Sequence, residues 1–319
     1  MVLEQIQPLW PVIKPGPTVR LPTRTVRPTR TNLFATAVIL PDMQIGFYRD
    51  MHGVLQPTHD EQALNVALAI TRHINPDHVI LLGDNLDLPE LGKYRFSPAF
   101  GATTQAAIDR ATLLAAQVRD AAPFARCQWL EGNHEARLTN YMLDNAKDAF
   151  GLRRGGPTPD VWPVLSVPYL CRFDQVGMEY VDGYPAGVLW LNDRLKCIHG
   201  TKAKSNGSTA HAYLNDTVSV LYGHIHRREW AERTRDTRNG PVTIMAASPG
   251  CLAKTTGAVP STRGAVDLDG RPLPVVEDWQ QGVGVVRFET GGANRFFYEQ
   301  VPIIAGEALY HNRLFKGEP

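Results

Sequence analysis

Apolar and polar residues follow two rhythms along the first half of the chain. Short, nearly continuous apolar runs are typical of strands buried on both faces of a parallel sheet. Longer stretches with one apolar face are typical of helices, and Thr58 to Glu61 forms a predicted capping box for the first of them. The predicted strands are 35–40, 78–82 and 127–130, and the predicted helices are 59–73, 104–120 and 136–143. This order predicts a right-handed α/β arrangement.

The second half of the chain is richer in short strand-like runs. A hairpin turn is predicted at Asn192-Asp193, and a short helix is predicted at about 209–215. The predicted strands are 176–181, 187–192, 195–198, 218–222, 241–247, 283–288 and 295–301. We therefore expect a second, mostly antiparallel sheet that packs on the first.

Two segments differ from this pattern, and both bear on domain organisation. Residues 1–33 contain many prolines and several basic residues, which predicts either an arm that is extended along the domain or partly disordered, or an arm that contacts a phosphate backbone. Residues 34–319 are expected to form one domain, interrupted by a Gly/Pro-rich excursion at 252–282. A loop of that length in a compact domain is usually functional or disordered.

Composition narrows the class of protein. Apolar residues make up 43% and charged residues 20% of the chain, which predicts a globular, soluble protein. The net charge of +1 gives no general attraction to nucleic acid or membrane. No segment has the pattern of a membrane span or a secretion signal, and the four cysteines lie far apart, which predicts reduced thiols in a cytoplasmic protein.

Polar residues follow the apolar runs at the points where the predicted strands end. Carboxylate, amide and imidazole groups together are the mixed oxygen and nitrogen set that two divalent ions about 3.5–4 Å apart require. Open α/β sheets bind their ligands at this end of their strands. The candidate metal ligands are Asp42, Gln44, Asp84, Asn133, His199, His224 and His226.

The ordered set of motifs resembles the calcineurin-like metallophosphoesterases over roughly residues 35–250. The motifs are Asp42-x-Gln44, Gly83-Asp84-x-x-Asp87, Gly132-Asn133-His134-Glu135, His199-Gly200 and Gly223-His224-x-His226. The resemblance implies a four-layer αββα sandwich, in which two mixed sheets lie between helices and a dimetal site lies at the C-terminal ends of the strands. The similarity is greatest to the branch with bacteriophage metallophosphoesterases and Mre11-type nucleases.

The resemblance also implies a role for each motif residue. Asp84 would bridge two divalent ions, and His134 would act on the phosphate as general acid or charge stabiliser, with its ring oriented by Asp87. Two divalent ions, two carboxylates and a bridging hydroxide leave a net charge of about +1, which suits a phosphodiester. The other implied ligands are Asp42, Gln44 and His226 for the first ion and Asn133, His199 and His224 for the second.

Two departures from the family pattern modify these expectations. Gln44 replaces a usual histidine, so an amide oxygen replaces an imidazole, which favours Mn²⁺ over Zn²⁺ and a weaker first site; Fe, Ni, Zn²⁺ and Mg²⁺ remain alternatives. Leu88 replaces the arginine with which protein phosphatases of this superfamily grip a phosphate dianion.

The predicted function is therefore hydrolysis of phosphodiester bonds in nucleic acid or cyclic nucleotides by attack of a metal-bridging hydroxide. The alternatives are a metal-dependent phosphomonoesterase or protein phosphatase, and a non-catalytic binding scaffold. Five arginines around Trp230 follow the last motif and could contact nucleic acid, but interleaved acids equally fit a solvated hairpin. Trp279 either closes over a base or anchors the long excursion. No membrane partner is expected, and the pattern specifies no protein partner.

Overall fold

The computed structural model of this protein describes residues 24–25, 33–93, 97–157, 160–205, 207–260 and 265–318. The predicted N-terminal arm lies outside these ranges except for Arg24, Thr25 and Leu33. The Thr25 N–H donates to the carbonyl oxygen of Pro123 at 2.9 Å, which places this part of the chain beside the end of a long helix. The rest of the prediction for residues 1–33 is untested.

Strands and helices appear in nearly the order that the pattern predicts. The strands are β1 Phe34–Leu40, β2 Phe47–Arg49, β3 Leu55–Pro57, β4 His78–Leu81, β5 Arg126–Leu130, β6 Met178–Val181, β7 Leu189–Asn192, β8 Leu195–Ile198, β9 Ser219–Tyr222, β10 Arg228–Arg235, β11 Val242–Pro249, β12 Gly282–Glu289, β13 Phe296–Pro302, β14 Glu307–Tyr310 and β15 Arg313–Lys316. The helices are α1 Glu61–Ile74, α2 Thr104–Ala121, α3 Ala136–Asn145, α4 Val167–Leu170, α5 Phe173–Val176 and α6 Ser208–Tyr213.

The first sheet has the order β13-β12-β1-β4-β5-β6. Its strands β1, β4, β5 and β6 are parallel, while β12 and β13 add an antiparallel edge. The parallel part confirms the α/β arrangement predicted for the first half. The strands predicted at 176–181, 283–288 and 295–301 belong to this first sheet, because their backbones pair within it. The prediction that they belong to the second sheet is therefore wrong.

The second sheet has the order β10-β11-β9-β8-β7. Strands β11, β9 and β8 are parallel, and only the two edge strands run antiparallel to their neighbours. The expectation of a mostly antiparallel sheet is therefore wrong, and the sheet is mixed. The predicted hairpin does form, but its turn is Asp193-Arg194 because Asn192 ends β7 and pairs with Leu195, and the arginine-rich segment forms the edge strand β10.

Four layers form because the parallel strands bury both of their faces. In β1, Val38 and Leu40 pack against the α1 and α2 side, while Ala37 and Ile39 pack against the second sheet. The alternation follows from the two-residue period of a strand. On the far side of the second sheet, α6 covers Val220 and its neighbours within the described residues. The αββα sandwich of two mixed sheets is thus the observed fold.

Several local details refine the predictions. The capping box at Thr58 is wrong, because Asp60 is the N-cap of α1 and its side chain accepts from the Ala63 N–H at 3.0 Å. Cys127, Cys171, Cys197 and Cys251 are buried and free, as predicted. Across the described ranges, no helix combines the length and the hydropathy that a membrane crossing requires.

Candidate metal centre

Five loops meet at one end of the two sheets, and they carry the predicted metal ligands. The loops follow β1, β4, β5, β8 and β9. Ligand atoms of Asp84, His199 and His224 lie within 4.8 Å of one another, and so do ligand atoms of Asp42, Asp84 and His226. Asp84 belongs to both groups, which is the position that a bridging carboxylate would occupy.

The first group is built on Asp42 and His226, with Gln44 beside them. His226 Nε2 lies 3.4 Å from Asp42 Oδ1. Among the described residues, Asp42 Oδ2 and Gln44 Oε1 are fully buried without a hydrogen-bond partner. A buried acceptor without a donor is costly unless a cation satisfies it.

The amide of Gln44 turns its nitrogen toward the other ligands. Gln44 Nε2 lies 3.4 Å from Asp84 Oδ2 and 3.4 Å from His226 Nε2. A half-turn of the amide exchanges Nε2 and Oε1 without moving the backbone. Gln44 could therefore offer its oxygen to a cation from the same position.

The second group is centred on Asn133 and two imidazoles. Asn133 Oδ1 lies 2.8 Å from His224 Nδ1 and 3.2 Å from His199 Nε2. His199 Nδ1 lies 3.0 Å from the carbonyl oxygen of Leu82, which accepts a hydrogen bond from it. This contact leaves Nε2 as the metal-binding nitrogen, the usual arrangement for a histidine ligand. All seven predicted ligands therefore lie in one cluster.

The backbone of this cluster is unusual at most of the ligands. Non-glycine residues rarely adopt positive φ angles, and those that do often lie at functional sites. Here the backbone holds five predicted ligands in this conformation, with φ between 37° and 73°: Asp42, Gln44, Asp84, His224 and His226. The chain accepts this strain at the ends of the strands, where it turns the side chains toward the shared centre.

Two motif glycines make room for ligand side chains. A Cβ atom on Gly132 would lie 2.2 Å from Asp84 Oδ1, and one on Gly223 would lie 2.5 Å from Asp42 Oδ2. Neither distance is compatible with a side chain. The glycines of these motifs are therefore explained by the close approach of two carboxylates.

Electrostatics in the pocket favour a negative Asp84 beside a positive His199 and a neutral His224. Burial raises the pKa of Asp84, but His134 and His199 lower it more, so that its pKa lies below the ordinary value. Burial lowers the pKa of His199, but Asp84 outweighs burial and raises that pKa to about 9. Burial and the charge of His199 lower the pKa of His224, which favours the neutral imidazole that metals require.

The predicted catalytic residues lie at the edge of the same cluster. His134 Nδ1 is 3.2 Å from Asp87 Oδ1, and His134 Nε2 is 3.6 Å from Asp84 Oδ2. The backbone N–H of His134 donates to Asp84 Oδ1 at 2.9 Å. Asp87 therefore contacts the far side of the ring, and the opposite nitrogen is directed toward the shared carboxylate.

Glu135 is a buried residue of the quoted motif to which the sequence analysis gave no role. Its carboxylate accepts backbone N–H groups from Asp84, Asn85, Leu86 and Gly132 at 2.8–3.2 Å, and the Trp129 indole N–H at 3.2 Å. It therefore joins the loop after β4 to the loop after β5. Burial and the charge of Asp84 raise its pKa. The sequence signal for this role is the position of Glu135 as the last residue of the motif that follows β5.

Aromatic side chains flank both groups. The Trp279 ring meets the His226 ring edge-on at 4.2 Å between centroids, and the Tyr184 ring meets the His199 ring at 5.7 Å. Trp279 also packs against a small apolar cluster that includes Tyr48, Phe100 and Val259. Trp279 thus attaches the end of the 252–282 excursion to the domain beside a predicted ligand.

Comparison with known proteins gives limited information. No protein-family model matches the sequence, and no curated protein sequence matches it. One matching solved structure is that of YfcE, a phosphoesterase from E. coli, with 11% sequence identity and a TM-score of 0.29. The alignment covers 83% of this chain and 98% of that chain. Because both values are low, the function proposed below rests on the side chains of this chain.

Proposed function

We propose that this protein is a metal-dependent phosphoesterase that hydrolyses phosphodiester bonds in nucleic acid or nucleotides. The observation that carries the proposal is the position of Asp84, whose carboxylate belongs to both ligand groups. A shared carboxylate between two mixed oxygen and nitrogen groups fits a pair of divalent ions. Such ions supply Lewis-acid chemistry that activates water and neutralises charge on phosphoryl oxygens.

The residues present fit this cofactor pair. The unpartnered Asp42 Oδ2 and Gln44 Oε1 are acceptors that a cation would satisfy. The proposed ligands include four oxygen donors, from Asp42, Gln44, Asp84 and Asn133. Oxygen donors suit harder ions, so we infer Mn²⁺ as the native metal.

His134 is the proposed proton donor. Hydrolysis forms a bond between phosphorus and a water oxygen and breaks the bond to the leaving oxygen, which must receive a proton. His134 Nε2 faces the centre, and Asp87 contacts the opposite nitrogen at 3.2 Å. Asp87 fixes the orientation of the ring, so His134 can transfer a proton from Nε2 to the leaving oxygen.

Phosphomonoester hydrolysis is the second candidate, and a single contact favours it. The guanidinium of Arg137 lies 2.9 Å from His134 Nε2. Leu88 lacks the positive charge with which an arginine at that position would bind a phosphate dianion. Arg137 provides a positive charge at the site from a different position in the chain. A cation there would offset part of the charge of a phosphate dianion.

Turnover of defined substrates with added Mn²⁺ tests the proposal. We expect hydrolysis of bis-p-nitrophenyl phosphate, and 2′,3′-cyclic AMP and single-stranded DNA would then distinguish nucleotide from nucleic-acid substrates. A phosphopeptide tests the monoesterase candidate. In His134→Ala, kcat for the diester should fall by about 10²–10⁴-fold because the proton donor is lost.

The matched control is His211→Ala, which removes an exposed histidine from α6 and should leave turnover unchanged. Metal content should persist in His134→Ala because His134 is not a proposed ligand. Equal turnover by the parent and His134→Ala would indicate a contaminating enzyme. Metal binding without turnover of any ester would support the scaffold alternative instead.

A further inference from the structure

Arg137 is a partly buried cation beside His134. It lies in the first turn of α3, and its side chain is 19% exposed. Arg137 Nη2 is 2.9 Å from His134 Nε2. Arg137 Nη1 donates to the carbonyl oxygen of Asp87 at 2.5 Å and lies 3.4 Å from Asp87 Oδ1. The guanidinium thus contacts both residues of the proposed proton-transfer pair.

The two terminal nitrogens of the guanidinium contact different residues. Nη1 is directed to Asp87, which connects α3 with the loop after β4. Nη2 lies beside the nitrogen of His134 that faces the centre, so both nitrogens can donate to one oxygen when that nitrogen carries a proton. Hydrogen bonds from nitrogen to oxygen are about 2.7–3.2 Å long, so one oxygen can lie within reach of two nitrogens 2.9 Å apart. A phosphoryl oxygen served by His134 would therefore also be within reach of Arg137.

Charge gives a second reason for a cation at this position. Asp87 is fully buried and carries a carboxylate beside the place where an anionic substrate would bind. Without Arg137, this carboxylate would repel the incoming anion. An arginine that contacts Asp87 offsets that charge and places N–H donors beside His134.

Position 88 cannot supply this cation. Leu88 is 1% exposed and belongs to the core cluster beneath the first sheet. Residues 83–88 after β4 therefore give the site an acid at position 87 and no base, and the arginine comes from α3.

We propose that Arg137 is a catalytic residue that donates to a phosphoryl oxygen of the substrate alongside His134. This proposal rests on the phosphoesterase function proposed above and adds the cation that selects a phosphoryl group. The alternative is a structural role, in which Arg137 only holds the Asp87 loop against α3. The two roles differ in whether loss of the Arg137 side chain lowers the affinity for phosphate.

Three variants and one probe separate these roles. The variants are Arg137→Ala and Arg137→Lys. The control is Arg126→Ala, which removes an exposed arginine of β5 that pairs with Glu179 of β6. The measurements are kcat and KM for bis-p-nitrophenyl phosphate with Mn²⁺, and calorimetric binding of inorganic phosphate to the Mn²⁺-loaded protein.

In Arg137→Ala, we expect kcat/KM and phosphate affinity each to fall by about 10- to 100-fold, the range for a charge-assisted hydrogen bond. Arg137→Lys should retain part of both, because a single point charge replaces the planar fork. Low millimolar guanidinium should restore part of the turnover of Arg137→Ala, whereas the same concentration of NaCl should not. Arg126→Ala should match the parent.

Two outcomes would overturn the proposal. One is parental phosphate affinity and kcat/KM in Arg137→Ala. The other is a loss that guanidinium does not restore, that Arg137→Lys shares in full and that accompanies a lower melting temperature, which would identify a structural role. If the parent hydrolyses no ester, the phosphoesterase proposal fails, while the phosphate titration still tests Arg137.

Discussion

The two halves of the candidate metal centre share Asp84 but are supported by different parts of the molecule. The half with His199 and His224 is held by the sheets, because His199 directly follows β8 and hydrogen-bonds to the carbonyl oxygen of Leu82. The half with Asp42 and His226 is held by the excursion. The Gln280 N–H donates to the carbonyl oxygen of His226, and the Leu252 N–H donates to that of Asp42.

The two halves also differ in the chemical type of their ligands. The sheet-supported half offers two imidazoles and the amide of Asn133, whereas the excursion-supported half offers one imidazole, the carboxylate of Asp42 and the amide of Gln44. We expect the excursion-supported half to bind its ion more weakly. The sheets therefore hold one half of the candidate centre, whereas the excursion contacts the backbone of the other half.

Replacing the shared ligand should remove the difference between the halves. In Asp84→Asn, we expect metal content to fall from about two ions per chain to below one, and diester turnover to fall by more than the about 100-fold typical of outer-shell changes. Mass spectrometry of bound metal and the diester assay check both. Asp120→Asn, an exposed change on α2, should retain full metal content. Loss of only one ion would place Asp84 in a single half.

Glu135 allows a test of the two loops that carry the shared ligand Asp84 and the ligand Asn133. Glu135→Gln replaces an oxygen that accepts backbone N–H groups with an amide nitrogen that can only donate. We expect the free energy of unfolding to fall by about 2–3 kcal/mol, as for a buried polar group without its partner. Urea unfolding with a chelator present measures this without a contribution from bound metal.

The control for this change is Glu179→Gln, which removes an exposed charge from β6 and should alter stability by less than about 0.5 kcal/mol. Equal stability of Glu135→Gln and the parent would show that the five N–H groups do not depend on the carboxylate. The loop after β4 would then need another support.

The smallest predicted effect concerns the excursion-supported half. Gln44→His restores an imidazole, and we expect it to tighten Zn²⁺ binding at that half by roughly tenfold, the low end of the effect of changes around a metal. Competition with a zinc-sensitive dye measures the affinity. Gln105→His adds an imidazole at an exposed position of α2 and serves as control. Unchanged affinity in Gln44→His would mean that position 44 does not face the ion.

Sequence reasoning predicted local features well because their signals are local. Each candidate ligand lies within a few residues of an apolar run, so the pattern that identifies the strand also places the ligand at its end. It assigned sheet membership poorly. Strand β12 resembles any other short apolar strand, and only its backbone pairing with β1 shows that it belongs to the first sheet.

The sequence by itself determined which side chains could form a centre and that they lie near the ends of strands. Only the tertiary structure decided how those side chains are supported. Arg137 contacts Asp87 across fifty positions of the chain, and Trp279 contacts His226 from a segment with no regular pattern. Periodicity reports which face of an element is buried, but it carries no information about which distant element covers that face.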